Sequence, residues 1–228
     1  MLVSSRIPLF PLNTILVPGL VLPLHIFEPR YRLMIQELLE ISDEEQREFG
    51  IVAVRDGHDI STNGIEALHP VGTSTILREA NIHEDGRYDV VTTGSRRFRI
   101  TSLDSSAPLL RAEVEWLPEP ETAQTEQLAL LTHKTLQDFS AYRIALSGEL
   151  NGEFSLFEEF PTDPTVVSFL LTAAILLPTA ERQELLAAHD TPSRLTLIRT
   201  LLKRETGLIT QLGALPAVDL LPSNASLN

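Results

Sequence analysis

Six histidines, 31 acidic side chains and 18 basic ones are the raw material for chemistry in this chain, and no cysteine is among them. Thiolate nucleophiles, thiolate metal sites and disulfides are therefore excluded together. The histidines are His25, His58, His69, His83, His133 and His189, and no two have the HExxH-type spacing that puts two imidazoles on one helix face around zinc. His25 and Glu28 are three apart, but Pro29 keeps both off one regular helix, so His25 reads as a partly buried structural histidine. His58 and His83 fall in turn-rich segments and read as solvated. Glu158–Glu159 could exchange protons, yet the FEEFP context reads as a solvated acidic pair. Arg96, Arg97 and Arg99 form the one basic cluster. It is either an anion site or the wet face of a strand, and the second reading is favoured. Lys134 and Lys203, the lysines a Ser–Lys pair would need, sit in helical patterns as solvated side chains. There is no GxxxxGK[ST], GxGxxG or GxSxG motif. No catalytic residue, metal ligand or cofactor is expected.

The elements that would carry these residues follow from composition and period. At 228 residues the chain can bury a large core without staples. Its formal charge of −13 disfavours nucleic acid and anionic lipid, whose affinity comes from Lys and Arg neutralising phosphates. A cytoplasmic protein is expected. Residues 7–24 lack any formal charge, which on length alone could suggest a membrane span. Pro11 and Pro18 would lie inside such a span, with Pro23 near its end, each costing about 3 kcal/mol in a helix. The prolines instead fit short strands at Ile7–Phe10, Asn13–Val17 and Leu20–Leu24, with a turn at Pro18–Gly19. Pro29 then opens a helix whose apolar face is Tyr31, Met34, Ile35, Leu38 and Leu39, running to about Ile41.

Beyond the charged loop SDEEQREFG, Gly50–Val54 reads as a buried strand and DGHDISTNG as turn and loop. Val71–Glu79 and Arg87–Thr92 form a hairpin about Asp85–Gly86. Arg97–Leu103 alternates, with Arg97 and Arg99 out and Phe98 and Ile100 in. Ala112, Val114 and Trp116 alternate with Glu113 and Glu115 in the same way. The connector LPEPET changes the character of the chain. Helices are expected over Glu121–Leu146, from Asp163–Pro164 through Leu176, from Pro178–Thr179 to about Ala188, and from Thr191–Pro192 along a stripe of Leu195, Ile198, Leu201, Leu202, Leu208, Ile209 and Leu212. SGELNGE is expected as a loop. The segment from about residue 213 is expected to be a mobile tail. The division is a β-rich domain over 1–118 and an α-helical domain over 119–228.

The stretch IPLFPLNTILVPGLVLPLHIFEPRYRLM resembles the start of the Lon N-terminal (substrate-binding) domain family, where an IPLFPL-like strand precedes LPLxIFEPRY and a helix. FGIVAV, VGT, DGRYDVVTTGSRRFRI, DPTVVSFLL and RQELLAAHDTPSRLTLIRTLLKRE extend the resemblance over about residues 7–210. The positions carrying it are Pro8, Phe10, Pro11, Pro18, Gly19, Pro23, Leu24, Phe27, Glu28, Pro29, Arg30, Tyr31, Gly72, Gly94, Arg97 and Phe98. Within LPLHIFEPRY, Leu24 and Phe27 are core candidates. His25 and Glu28 are local hydrogen-bonding candidates, and Glu28 or an acid of the barrel is expected to hold Arg30.

The resemblance implies an α+β protein: a β-rich, PUA-like pseudo-barrel followed by an α-helical bundle. In Lon proteases this region helps recognise unfolded substrates and assemble the hexamer. The sequence shows no Walker motif or protease dyad and is similar to short stand-alone bacterial members lacking the ATPase and protease domains. The implied function is therefore non-enzymatic: binding unfolded or apolar polypeptide segments as a recognition or adaptor module. A PUA-like RNA-binding module and a homo-oligomeric scaffold are the alternatives.

Overall fold

The computed structural model describes residues 4–58, 60–120, 125–150 and 160–212. By its internal contacts the chain divides into two compact units, Met1–Pro118 and Glu119–Asn228. The first contains β1 (Ser4–Leu12), β2 (Val21–Ile26), α1 (Pro29–Leu39), β3 (Glu48–Ala53), the one-turn α2 (Ile60–Asn63), β4 (Val71–Ile82), β5 (Tyr88–Asp104) and β6 (Arg111–Leu117). The apolar N-terminal stretch thus builds a sheet. Among the described residues, no helix is long and apolar enough to cross a membrane.

The six strands form one mixed sheet in the order β2-β5-β4-β3-β1-β6, and β5 also pairs with β6. That extra pairing closes β5, β4, β3, β1 and β6 into a hydrogen-bonded ring, leaving β2 outside it. A 17-residue β5 makes this possible. Its first part, Tyr88–Thr93, pairs with β2, and its later part, Arg97–Asp104, pairs with β6. What was expected as two strands, Arg87–Thr92 and Arg97–Leu103, is one strand that changes partner midway. Register shifts between Thr73 and Thr75, Leu77 and Glu79, and Ile100 and Ser102 supply the bending that closure needs.

Gly94 lies at the changeover. A Cβ there would stand 2.4 Å from the Val17 carbonyl oxygen, so a side chain would push away the segment covering it. That segment, 13–20, was expected to contain a strand at Asn13–Val17 and is a loop instead. Ile15, Leu16 and Val17 are buried, and the backbone is held from outside: the Thr73 hydroxyl donates to Leu16 O (2.6 Å), Gly19 N–H to Gly94 O (2.8 Å) and Gly94 N–H to Leu20 O (2.9 Å). Pro18–Gly19 turns as expected, with Gly19 at φ 82°. An apolar run can be buried without a ladder when side chains and a neighbouring turn satisfy its polar groups.

Because Leu20 bonds Gly94, the even residues of β2 direct their backbone groups at β5 and the odd ones away. Pro23 falls on the outward set. The open edge of β2 therefore lacks a donor at its middle, which discourages strand addition.

DGHDISTNG, expected as loop, contains α2 and leads into a 3-10 turn at Gly64–Ala67. The core of this unit has two parts. Phe10, Phe49 and Leu77 pack with Tyr31, Met34 and Ile35 of α1, and Ile7, Leu9, Phe98, Ile100 and Val114 form a second cluster.

The second unit is helical: α3 (Glu126–Leu150), α4 (Pro164–Ala174), α5 (Thr179–Ala187) and α6 (Thr191–Leu212). α3 runs four residues past the expected end at Leu146, through SGEL, because this segment contains no proline and only one glycine. The rest of the expected loop, the acidic pair Glu158–Glu159 and the tail from 213 lie outside the described residues. Asp163 caps α4 as expected, accepting from the N–H groups of Thr165 (2.7 Å) and Val166 (3.1 Å). Phe139, Tyr142, Leu146, Val167, Leu171, Leu185, Ile198, Leu202 and Ile209 make the core. Leu208, assigned to the α6 stripe, is instead among the exposed apolar residues.

Candidate functional site

The LPLHIFEPRY stretch ends β2 and begins α1. Leu24 is buried, but Phe27 is 47% exposed and is not a core residue. The period-2 alternation of β2 continues to that point, so Leu24 and Ile26 face in while His25 and Phe27 face out. His25 is exposed as well, correcting its assignment as partly buried. Pro29 occupies the first turn of α1. Glu28 holds Arg30, with its Oε2 accepting at 2.9 Å from Nε and 2.7 Å from a terminal nitrogen, and the guanidinium lies 4.6 Å from the Tyr31 ring centre. This local pair offsets the unfavourable placement of a cation at a helix N-terminus.

Tyr31 stacks obliquely on Phe10 at 4.2 Å between ring centres, and burial pushes its hydroxyl pKa up to about 12. Pro8 and Pro11 lie on β1. Gly72 is required by a close approach: a Cβ would stand 2.5 Å from both Phe98 Cζ and Ile51 O. Phe98 is fully buried. Most signature positions thus build the ring and the 13–20 loop over Gly94, and they do not converge on a reactive centre.

Arg97 departs from the alternation assigned to it: it is 3% exposed. At ring closure its backbone pairs with Thr73 of β4 on one side and Leu117 of β6 on the other. Arg99 is exposed, opposite Glu115. The three arginines of the cluster therefore point to different surroundings and do not form one anion site.

Arg96 leads to the cleft. Its Nε and a terminal nitrogen donate to the two Glu48 oxygens at 3.2 and 3.0 Å, while its guanidinium lies 3.5 Å from the Trp116 ring centre. The indole N–H donates to Ser5 Oγ at 3.0 Å, and the ring meets Phe98 edge-on at 6.3 Å. Around this stack opens a cleft of about 360 Å³. Its apolar lining is Ile7 and Pro8 of β1, Met34 and Leu38 of α1, Ile41 and Trp116. Its rim is charged but internally matched. Arg96 holds Glu48, Arg111 donates to Glu37 at 2.7 Å, and Arg6 pairs with Asp104.

An apolar floor with paired charges around it suits an extended chain carrying apolar side chains better than a free anion. No motif or spacing in the chain announces this cleft. Trp116 was placed as an inward strand residue, and the Arg111–Glu37 pair spans 74 positions.

Residues 6–204 match the sequence model of the ATP-dependent protease La (LON) substrate-binding domain. The chain belongs to this family. "Lon protease 2" of Myxococcus xanthus is 27% identical over 212 residues, covering 91% of this chain but 24% of that protein. The LON-family chain thus spans about a quarter of such relatives. Among solved structures, the fold is shared with a Lon N-terminal domain protein from Xanthomonas campestris (TM-score 0.61, 22% identity, 86% of this chain and 98% of that one). It is shared as well with the N-terminal domain of a Mycobacterium avium complex Lon protease (TM-score 0.63, 20% identity, 87% and 98%). The matched relatives are bacterial and concerned with proteolysis, and the matched domain is their substrate-binding part.

Proposed function

We propose that this LON-domain protein binds unfolded or apolar polypeptide segments, as a non-enzymatic recognition or adaptor module for Lon-type proteolysis. The observation that carries the reading is the Trp116 cleft, an apolar floor with a matched charged rim inside a substrate-binding-domain fold. An extended segment laid across Ile41 and Trp116, the half-buried apolar residues of the lining, would bury apolar side chains, while Arg96–Glu48 and Arg111–Glu37 offer polar edges to its backbone. In the same reading the closed ring is a PUA-like pseudo-barrel. Residues 1–118 and 119–228 are separate domains, the second a helical bundle, and the protein works in the cytoplasm. Paired arginines and a charge of −13 speak against RNA as the ligand.

Fluorescence anisotropy of a labelled, permanently unfolded polypeptide tests this. Saturable binding at micromolar protein is expected, weakened tenfold or more by Trp116→Ala. Absence of saturable binding, or retention only of a steeply salt-dependent RNA complex, would refute the reading.

A further inference from the structure

A second constellation lies away from the cleft, where the β4–β5 hairpin meets β2. His25 of β2 stands directly across from Asp89 of β5 in the antiparallel register. Its Nδ1 lies 2.6 Å from Asp89 Oδ1. His83, just before the hairpin turn, places Nε2 2.7 Å from Asp89 Oδ2. One carboxylate is thus gripped by two imidazoles, one on β2 and one in the turn that follows β4, and one ligand atom from each residue lies within 4.8 Å of the others. Zinc at bond lengths of 2.0–2.2 Å holds its tetrahedral ligands ~3.4 Å apart, so modest side-chain rotations suffice.

The backbone fixes the three Cα positions. His83 N–H donates to Arg87 O (2.8 Å) and Gly86 N–H to His83 O (2.9 Å), closing the turn, with Gly86 at φ 79°. Arg32 of α1 rests on that turn, where a Cβ at Gly86 would stand 2.2 Å from its terminal nitrogen. Phe27 lies flat beside the His25 ring, 6.3 Å between centres. Hydrogen bonds from His25 and then His83 hold the Asp89 carboxyl below its ordinary range, so it is an anion at neutral pH. One cation is close by: Arg87, 3.4 Å from His25 Nε2, and its charge is engaged by Asp85 Oδ2 at 2.6 Å.

We propose that His25, His83 and Asp89 form a binding site for a divalent transition-metal ion of the zinc class. Two imidazoles and one carboxylate suit Zn2+, Ni2+ or Cu2+, and are a poor set for Mg2+ or Ca2+, which take oxygen ligands. Three protein ligands on an exposed surface leave a fourth position for water or for a donor from another molecule. The ion would replace the protons now shared between the imidazoles and Asp89, tying the hairpin tip to the edge strand β2. The ion thus competes with protons for the ligand atoms.

The test is isothermal titration of the full chain, free of any affinity tag, with ZnSO4 at pH 7.5. One equivalent binding at micromolar or tighter Kd is expected. His25→Gln/His83→Gln and, separately, Asp89→Asn should each weaken it at least tenfold with an unchanged circular dichroism spectrum. His58→Gln should leave it intact. No binding up to hundred-micromolar Zn2+, or binding that survives the double variant, would overturn the proposal.

Discussion

Arg96 and Arg194 show how differently the two units use one side chain. In the sheet unit, Arg96 lies on the surface, 52% exposed in its side chain, stacked on Trp116 and matched to Glu48. In the helical unit, Arg194 is wholly buried on α6. It donates to Glu119 at 3.0 and 3.2 Å, to Ser168 Oγ at 2.9 Å and to Leu185 O at 3.2 Å, with its guanidinium 3.8 Å from the Phe169 ring centre. A guanidinium in such a place is tolerated only when every direction is satisfied, so it organises what surrounds it. Arg96 keeps its hydration, and its loss leaves the fold standing. Surface pairs thus shape a binding rim, and the buried one holds a fold together.

The largest effect is expected from Arg194→Ala, which strands Glu119 and opens the site. It should cost about 3–5 kcal/mol in urea unfolding followed by circular dichroism. A loss below about 1 kcal/mol would erase the contrast. Gly94→Ala is next, at about 1–3 kcal/mol, because the added methyl meets the Val17 carbonyl at the point where β5 changes partners. An unchanged midpoint would show that the loop covering Gly94 gives way freely.

Each unit also carries a buried tyrosine whose hydroxyl holds its proton more tightly than a free one. Burial pushes both Tyr31 and Tyr142 from 10.0 up to about 12. Between those values the unfolded chain has lost the phenolic proton and the folded one keeps it, so stability falls as pH rises from about 10 to 12. Tyr142→Phe should remove part of that slope in alkaline unfolding curves, and a slope identical to the parent would contradict the burial argument. Asp163→Ala should cost about 1 kcal/mol through the lost α4 cap, read from the unfolding midpoint. Smallest on the stability scale is Arg96→Ala, below about 1 kcal/mol, while polypeptide binding drops by several-fold.

Legibility in the sequence differs between the units for a physical reason. Helix starts are local: Asp163–Pro164, Pro178–Thr179 and Thr191–Pro192 each announce themselves within a few residues, and α4, α5 and α6 begin there. Ring closure is not local. That β5 would serve β2 and then β6, that Asn13–Val17 would pack over Gly94 as a loop, and that Arg97 would be buried between β4 and β6 partners depend on register between distant segments. The resemblance in LPLHIFEPRY located the family, yet the cleft is assembled from Ser5 through Trp116, and only Pro8 among its lining residues belongs to the signature. His25–Asp89–His83 escaped for the same reason: no motif spacing encodes a cross-strand pair 64 residues apart.

Trp116 is the chain's single tryptophan and it lines the cleft, so its emission reports on that surface without a label. Titration with a tryptophan-free unfolded polypeptide is the most direct test of the cleft as the binding site. A saturable change in Trp116 emission is expected, with a midpoint in the micromolar range that matches that from anisotropy. Binding seen by anisotropy with Trp116 emission unmoved would place the polypeptide elsewhere and contradict the cleft as the binding site.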